Sequence, residues 1–449
     1  MKLQKNDLLF DNKSLALLIF PLLIEQLLAV FVGMADSIMI ASVGEAAVSG
    51  VSLVDSVMNL FITLFSALAT GGAVIAGQYL GQKSEKDAGK AAAQLVQFVL
   101  ICGLAITAIL YVGKEFILTT VFGAIDAEVK AHANTYLLIV SASVPFIALY
   151  NSGAALFRTM GNSRITMVVS LIMNIINLAG NALLIYGFHF GTAGVAIPTL
   201  VSRIVAAVLI LGLLARSNGL IRLELPRKLE LDWGMLRRIL KIGIPNGLEN
   251  SMWHLGKIIV LSLVSTFGTS AIAANAVGNA VAMFQMLPGM AINLAVTTVI
   301  SRCVGAKRYD QAEYYTKKLM GLVYATALLN NGIIYMLLPL ILKAYGLTDQ
   351  TAQTARTILV FHSICAIFIW PLAFTLPCTL RAAGDAKVPM VVSIVCMWLF
   401  RVVFSYILGK YAGMGVFGVW VAMVIDWSVK AVFLMIRYKK GKWKTLHVI

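Results

Sequence analysis

Charge is what this chain has least of. Asp, Glu, Lys and Arg make up only 12% of its 449 residues against 60% hydrophobic ones, a balance that excludes a soluble globular domain and marks an integral membrane protein. Cysteine is scarce and unpatterned. Cys102, Cys303, Cys365, Cys378 and Cys396 are scattered, most of them within apolar runs, with neither C-x-x-C nor Cys/His spacing, so they read as small buried hydrophobes rather than disulfides or metal ligands. The phosphate-cradling pattern G-x-x-x-x-G-K-[ST] is missing, which argues against an ATP-driven machine. H-E-x-x-H and G-x-S-x-G are missing too, and without clustered His, Cys or paired acids the chain reads as no enzyme and as needing no cofactor. Acids are also outnumbered, 20 Asp and Glu against 36 Lys and Arg, for a formal charge of +16. A nucleic-acid binder would gather that charge on a soluble basic face interleaved with aromatics. Here it sits in short clusters between apolar runs, so no nucleic-acid partner is expected.

What is present is apolar length. A spanning helix needs about 20 apolar residues, and such runs are expected near 14–41, 47–80, 92–113, 134–157, 165–187, 191–215, 238–265, 271–302, 316–341, 355–379, 389–409 and 415–437. The first run is too long for a signal-peptide core and lacks an A-x-A site, so it is expected to remain as the first helix. Twenty-seven Lys and Arg fall at the two ends and in alternate loops, including Lys2, Lys5, Lys83, Lys86, Lys307, Arg308, Arg227 and Lys228. The other loops hold five, Lys114, Lys130, Lys343, Arg356 and Lys410. By the positive-inside rule both termini are cytoplasmic, which requires an even number of spans. The excess faces the anionic inner leaflet of the cell (plasma) membrane, and membrane lipid is a sufficient partner for it.

The chain is also two copies of one half. A shift of 224 residues pairs Pro21 with Pro245, Glu25 with Glu249, Gly44 with Gly268, Gly81 with Gly305 and Lys83 with Lys307; with a one-residue slip, Arg158 meets Arg381 and Gly161 meets Gly384. Met-Val-Val-Ser occurs in both copies, at Met167 and at Met390. Six spans per copy predict an all-α integral membrane fold of twelve transmembrane helices in two six-helix bundles, related by a pseudo-twofold along the membrane normal. The expected divisions are an N-terminal lobe at 1–216, a cytoplasmic linker at 217–233 and a C-terminal lobe at 234–449. Duplicated transporters of this kind hold substrate between their halves.

Several short stretches resemble a known family. They are the first-helix Pro21 with Asp36 fifteen residues on, Gly77-Gln78-Tyr79-Leu80-Gly81, Arg158-Thr-Met-Gly161-Asn162, Gly243-Ile-Pro245-Asn-Gly-Leu-Glu249-Asn250, Leu380-Arg381-Ala-Ala-Gly384-Asp385 and Met423-Val-Ile-Asp426-Trp427. In order and spacing the chain resembles the multidrug and toxic compound extrusion (MATE) family, close to its NorM-like bacterial branch, over nearly its whole length. The resemblance implies a monomeric antiporter that expels small cationic or amphipathic organic compounds in exchange for Na+ or H+ by alternating access. A flippase for a lipid-linked oligosaccharide or peptidoglycan precursor is the alternative. It would call for a basic cleft to meet pyrophosphate, whereas the cleft candidates here are mostly acidic.

Candidate site residues follow from what hydrocarbon tolerates. Asp36 lies in the first helix with Val260 as its repeat partner, and Asn174, Asn177 and Asn181 share one face of the fifth span, where the second copy has Met397, Phe400 and Phe404. Oxygen-bearing side chains around one carboxylate suit Na+ or a proton. The resemblance places a cation site on Asp36, Asn151, Asn177, Asn181 and Thr199, with Asp36, Asn177 and Asn181 as oxygen ligands to a metal cation. Asn181 stands where the family often has a second aspartate. Glu25, Glu249 and Lys257 are candidates to hold substrate or a proton. Pro21, Pro245, Pro371 and Pro377 break the backbone ladder and read as hinges, while Arg401 and Asp426 are expected to neutralise one another as a structural ion pair.

Overall fold

The computed structural model describes residues 7–123, 125–216, 219–223, 230–446 and 448–449. Lys2, Lys5, Arg227, Lys228 and much of the expected linker therefore lie outside the described residues. Among the described residues the chain is all helix and turn, with no strand. Hydrocarbon offers backbone groups no hydrogen bonds, and a helix satisfies its own.

In chain order the helices are α1 (Asn12–Ala41), α2 (Glu45–Gly81) and α3 (Glu85–Val112), then α4 (Ala127–Ser141) and α5 (Val144–Thr159), which form one span bent by 48°. They continue as α6 (Ser163–Gly187), α7 (Ala193–Arg216), α8 (Trp233–Ser265), α9 (Thr269–Gly305), α10 (Tyr309–Ala344), α11 (Asp349–Ala382), α12 (Lys387–Tyr411) and α13 (Gly415–Lys439). Ten are long and apolar enough singly to cross a membrane, and the bent pair makes eleven. The twelfth is α8, whose 33 residues carry charge at both Glu249 and Lys257. Large apolar side chains remain bare along these helices, Phe20 and Ile38 on α1 and Met336 and Leu340 on α10 among them, as a surface made for lipid requires.

Local chemistry sets the helix ends. Asp11 caps α1 by accepting from the Ser14 amide at 2.8 Å, and the Ser14 hydroxyl and amide together hold its carboxyl below the usual carboxylate range. The repeat is visible in backbone as well as sequence. Lys83 and Lys307, equivalent residues after α2 and α9, are both left-handed, with φ of 60° and 57°. Each is followed by the same closing bond, Ser84 N to Tyr79 O and Arg308 N to Cys303 O, both at 2.9 Å. Gly161 and Gly384 likewise share a positive φ, 87° and 95°.

By packing, the chain divides into one compact unit of Phe10–Gly247 and another of Leu248–Val448 with the segment ending at Leu9. Gln311 explains why that segment goes with the second unit, since its side chain accepts from Leu9 N (3.0 Å) and donates to Asp7 O (2.6 Å). The division falls inside α8. In the first unit, the start of α8 lies directly on α2: a Cβ on Gly71 would meet the Ile239 carbonyl oxygen at 2.6 Å and the Gly243 nitrogen at 2.9 Å. Gln94 on α3 adds bonds to Glu230 O and Asp232 N, both 2.8 Å.

That contact is between backbones, which have no freedom to yield. Gly71→Val is expected to destabilise by about 1–3 kcal/mol, read as a clear fall in melting temperature of the detergent-solubilised protein. Gly33→Val, where nothing lies within 4 Å of the added carbon, should melt as the parent does. Equal melting of the two variants would show that Gly71 is not a packing point.

Candidate functional site

The first unit builds its site around the proline of α1. Pro21 has no amide to donate, so the carbonyl one turn back, that of Leu17, loses its helical partner. Ser163, the first residue of α6, supplies a substitute, its hydroxyl lying 3.2 Å from Leu17 O and 2.6 Å from Leu18 O. Pro21 and Pro245 both sit inside unbroken helices, while Pro371 opens a widened turn, Pro371–Thr375, within α11 and Pro377 follows it. Widened turns of this kind are frequent at functional sites.

Farther along α1, Asp36 is half-buried and begins a chain of side chains. Asn181 of α6 donates to Asp36 Oδ1 at 2.7 Å and approaches Asn177 Oδ1 at 3.4 Å. Asn177 donates to Thr199 Oγ1 of α7 at 3.1 Å, and Thr199 in turn donates to the Val195 carbonyl at 2.8 Å. Four of the five expected cation-site residues thus meet across three helices. Asn151, on α5, is not part of that chain among the described residues. Asn181 is 0% exposed, yet its Oδ1 has no donor. A buried oxygen left without a partner next to a carboxylate is a ready ligand for a cation or a bound water.

One acid of this site went unread in the sequence. Asp55 on α2 accepts from the Tyr136 hydroxyl of α4 at 3.0 Å, and its charge acts on Asp36. Arg203 of α7, which has no partner assignable from sequence, donates to Ser143 Oγ at 2.7 Å and is felt by Asp36 and Asp55 alike. Arg203 therefore acts on two intramembrane carboxylates of the first unit besides the paired Glu25. A second carboxylate is present after all, supplied by α2 rather than by the Asn181 position. A usable signal existed, because the repeat partner of Asp55 is the neutral Asn279.

Glu25 and Glu249 turn out to be ion-paired in the same way in both units. Arg158 Nη1 lies 3.3 Å from Glu25 Oε1, and Thr166 donates to Oε2 at 2.8 Å. In the second unit Arg381 Nη1 lies 2.8 Å from Glu249 Oε2, with Lys430 Nζ 3.6 Å from Oε1. Acid and arginine are both repeat-equivalent, so the duplication has preserved a whole pair. This geometry ties α1 to α5 and α6, and α8 to α11 and α13. It leaves neither acid waiting for a substrate. Arg401 and Asp426, expected to neutralise one another, act on each other without a direct salt-bridge contact among the described residues, and Lys430, one turn after Asp426, lies on Glu249. Lys257 meets neither Glu249 nor another carboxylate among the described residues; its Nζ stands 4.6 Å from the centre of the Trp253 ring.

A duplicated set of spanning helices, with paired charges repeated in each half and a polar chain ending on an intramembrane acid in one, is the architecture of a secondary transporter. The MatE family model matches residues 21–183 and again 245–407, each match opening on one of the two prolines. The chain belongs to this family, the multidrug and toxic compound extrusion transporters. It is 29% identical to "Uncharacterized transporter YisQ" of Bacillus subtilis over 96% of this chain and 94% of that one. It is 24% identical to "Probable multidrug resistance protein NorM" of Thermotoga maritima, over 100% and 96%. Among solved structures its fold matches an outward-facing multidrug resistance MATE family transporter of the MOP superfamily, with a TM-score of 0.89 at 20% identity over 97% of both chains. It also matches a MATE transporter in the bent conformation, with 0.87 at 21% over 96% of both.

Removing one member of a buried ion pair strands the other. Glu25→Gln is expected to cost on the order of 3 kcal/mol through the unpaired Arg158 charge, and Glu25→Gln combined with Arg158→Met should recover most of it in thermal unfolding. Additive losses in the double variant would count against the pairing.

Proposed function

We propose that the protein exports small cationic or amphipathic organic compounds across the cell inner membrane by alternating access, in exchange for Na+ or H+ bound in the first unit. The observation that carries this reading is the Asp36–Asn181–Asn177–Thr199 chain with its unpartnered Asn181 oxygen. A cation entering there meets one carboxylate and neutral oxygens. Na+ accepts such a set, and a proton needs only the carboxylate. Asp55 is a second acceptor whose charge is coupled to that of Asp36. While Asp55 is ionised its charge strengthens uptake of a cation at Asp36, and filling one acid weakens the pull on a second cation, so the pair favours one bound charge. Asn151 stays a candidate contributor in a conformation that brings α5 nearer. Both termini are cytoplasmic in this reading, supported by the distribution of Lys and Arg. Glu25 and Glu249 serve as helix ties, and the four prolines as flexing points.

Ethidium efflux from vesicles under an imposed Na+ or proton gradient tests the reading. Wild-type protein should move ethidium only when a gradient is present, and gradient-independent behaviour would refute antiport. Asp36→Asn is expected to reduce coupled efflux to background while the protein still inserts; full activity in that variant would remove Asp36 from the mechanism. Asp55→Asn should lower coupled efflux by about tenfold, corresponding to a coupling of ~1.4 kcal/mol between the two acids. An Asp55→Asn protein as active as the parent would leave Asp36 as sole acceptor.

A further inference from the structure

The two units carry opposite excesses of intramembrane charge. Asp36, Asp55 and Glu25 outnumber Arg158 and Arg203 in the first unit, whereas in the second Lys257, Arg401, Lys430 and Arg381 outnumber Glu249 and Asp426. Glu249 is occupied by Arg381 and Lys430 together. That leaves Lys257 and Arg401 with only Asp426 between them.

The helices that carry these two bases touch beside them. A Cβ on Gly256, the residue before Lys257 on α8, would lie 2.3 Å from Met397 Cε on α12, and Met397 is one turn before Arg401. Arg401 is 8% exposed and its buried Nε has no hydrogen-bond partner. Lys257 is exposed although it lies in the middle of a spanning helix. The charges of Lys257 and Arg401 act on each other; Asp426 of α13 acts on Arg401, His254 adjoins Lys257, and His362 of α11 adjoins Arg401. Two like charges side by side do not hold helices together. A lysine in a span persists only facing water or an ion, and an unpartnered guanidinium nitrogen is a donor awaiting an acceptor.

We propose that Lys257 and Arg401 form a carboxylate-binding site in the second unit, taking the acidic end of a small amphiphile whose apolar body lies along Trp253. The assignment rests on the reading of the chain as an exporter of small amphiphiles and names a substrate class for it. Charge balance calls for an anion, since Lys257 and Arg401 face only Asp426 while Arg381 and Lys430 already outnumber Glu249. The Arg401 fork matches a carboxylate in shape, and the Trp253 ring already stacks beneath the Lys257 ammonium.

Binding to the purified full chain in detergent tests this, by titration calorimetry with 2-naphthoate, the uncharged 2-naphthalenemethanol, the cationic 2-naphthylmethylammonium and 2-naphthyl phosphate. Naphthoate should bind at least about tenfold more tightly than the alcohol, as charge-assisted hydrogen bonds imply. Lys257→Met should remove that advantage while leaving the alcohol unaffected, and Lys257→Arg should restore it. Arg401→Gln should act as Lys257→Met does; if it fails to fold, the lysine pair of variants decides alone. Naphthoate binding no better than the alcohol or the cation, tighter binding of the phosphate, or an unchanged naphthoate affinity in Lys257→Met would each overturn the site. Wild-type ethidium efflux is read separately. Naphthoate binding by a chain that exports nothing keeps the site and refutes the efflux reading, and efflux without naphthoate binding does the reverse.

Discussion

Hydrocarbon cannot solvate a charge, and this constraint orders the molecule. Every ionised side chain inside a span must find an opposite charge, a donor or water. Glu25 with Arg158 and Glu249 with Arg381 answer that demand once in each unit, at equivalent positions. The pairs do more than neutralise. Each joins the proline-bearing helix of its unit to the helices packed beside it, so the backbone that lacks a hydrogen bond at Pro21 or Pro245 is fixed one turn later by an ionic contact. Where pairing stops, chemistry begins: Asp36 and Asp55 are in excess in the first unit, Lys257 and Arg401 in the second.

The fold was largely legible because its signals are long or repeated. Apolar runs are unmistakable over 20 residues, and the 224-residue shift is written in residues that backbone geometry then makes necessary, such as Gly161 and Gly384 at positive φ. Only α8 is weak by hydropathy, because Glu249 and Lys257 interrupt it; its proline register identified it. By packing, the start of α8 goes with the first unit, where Gly71 of α2 closely approaches the Ile239 carbonyl, and no composition change marks such a contact.

The site was legible in part. Helical spacing puts Asn174, Asn177 and Asn181 on one face, whereas Thr199 was grouped with Asp36 and the asparagines only through the family resemblance; the structure joins Asp36, Asn181, Asn177 and Thr199 in one hydrogen-bonded chain. Asp55 shares a helix face with Ser52, Ser56 and Asn59, a polar spacing that was there to be read, but only the fold brings Tyr136 to it. The Glu–Arg pairs were hidden differently. Each acid was weighed alone, although acid and arginine recur together in both copies, and that joint recurrence is the mark of a contact. Lys430 lies on Glu249 although it stands one turn after Asp426, and position along a helix cannot show that placement.

The Ser163 hydroxyl over Leu17 and Leu18 makes the duplicated prolines mechanically unequal. Its counterpart in the second copy is Ala386, which has no hydroxyl to offer. Flexure of α1 at Pro21 must therefore break or carry along a bond to α6, whereas α8 has no such bond to give up at the matching place. The two halves inherited one hinge, but one of them has a catch on it. Bending at Pro21 is thereby tied to α6, as bending at Pro245 is not tied to the matching Ala386.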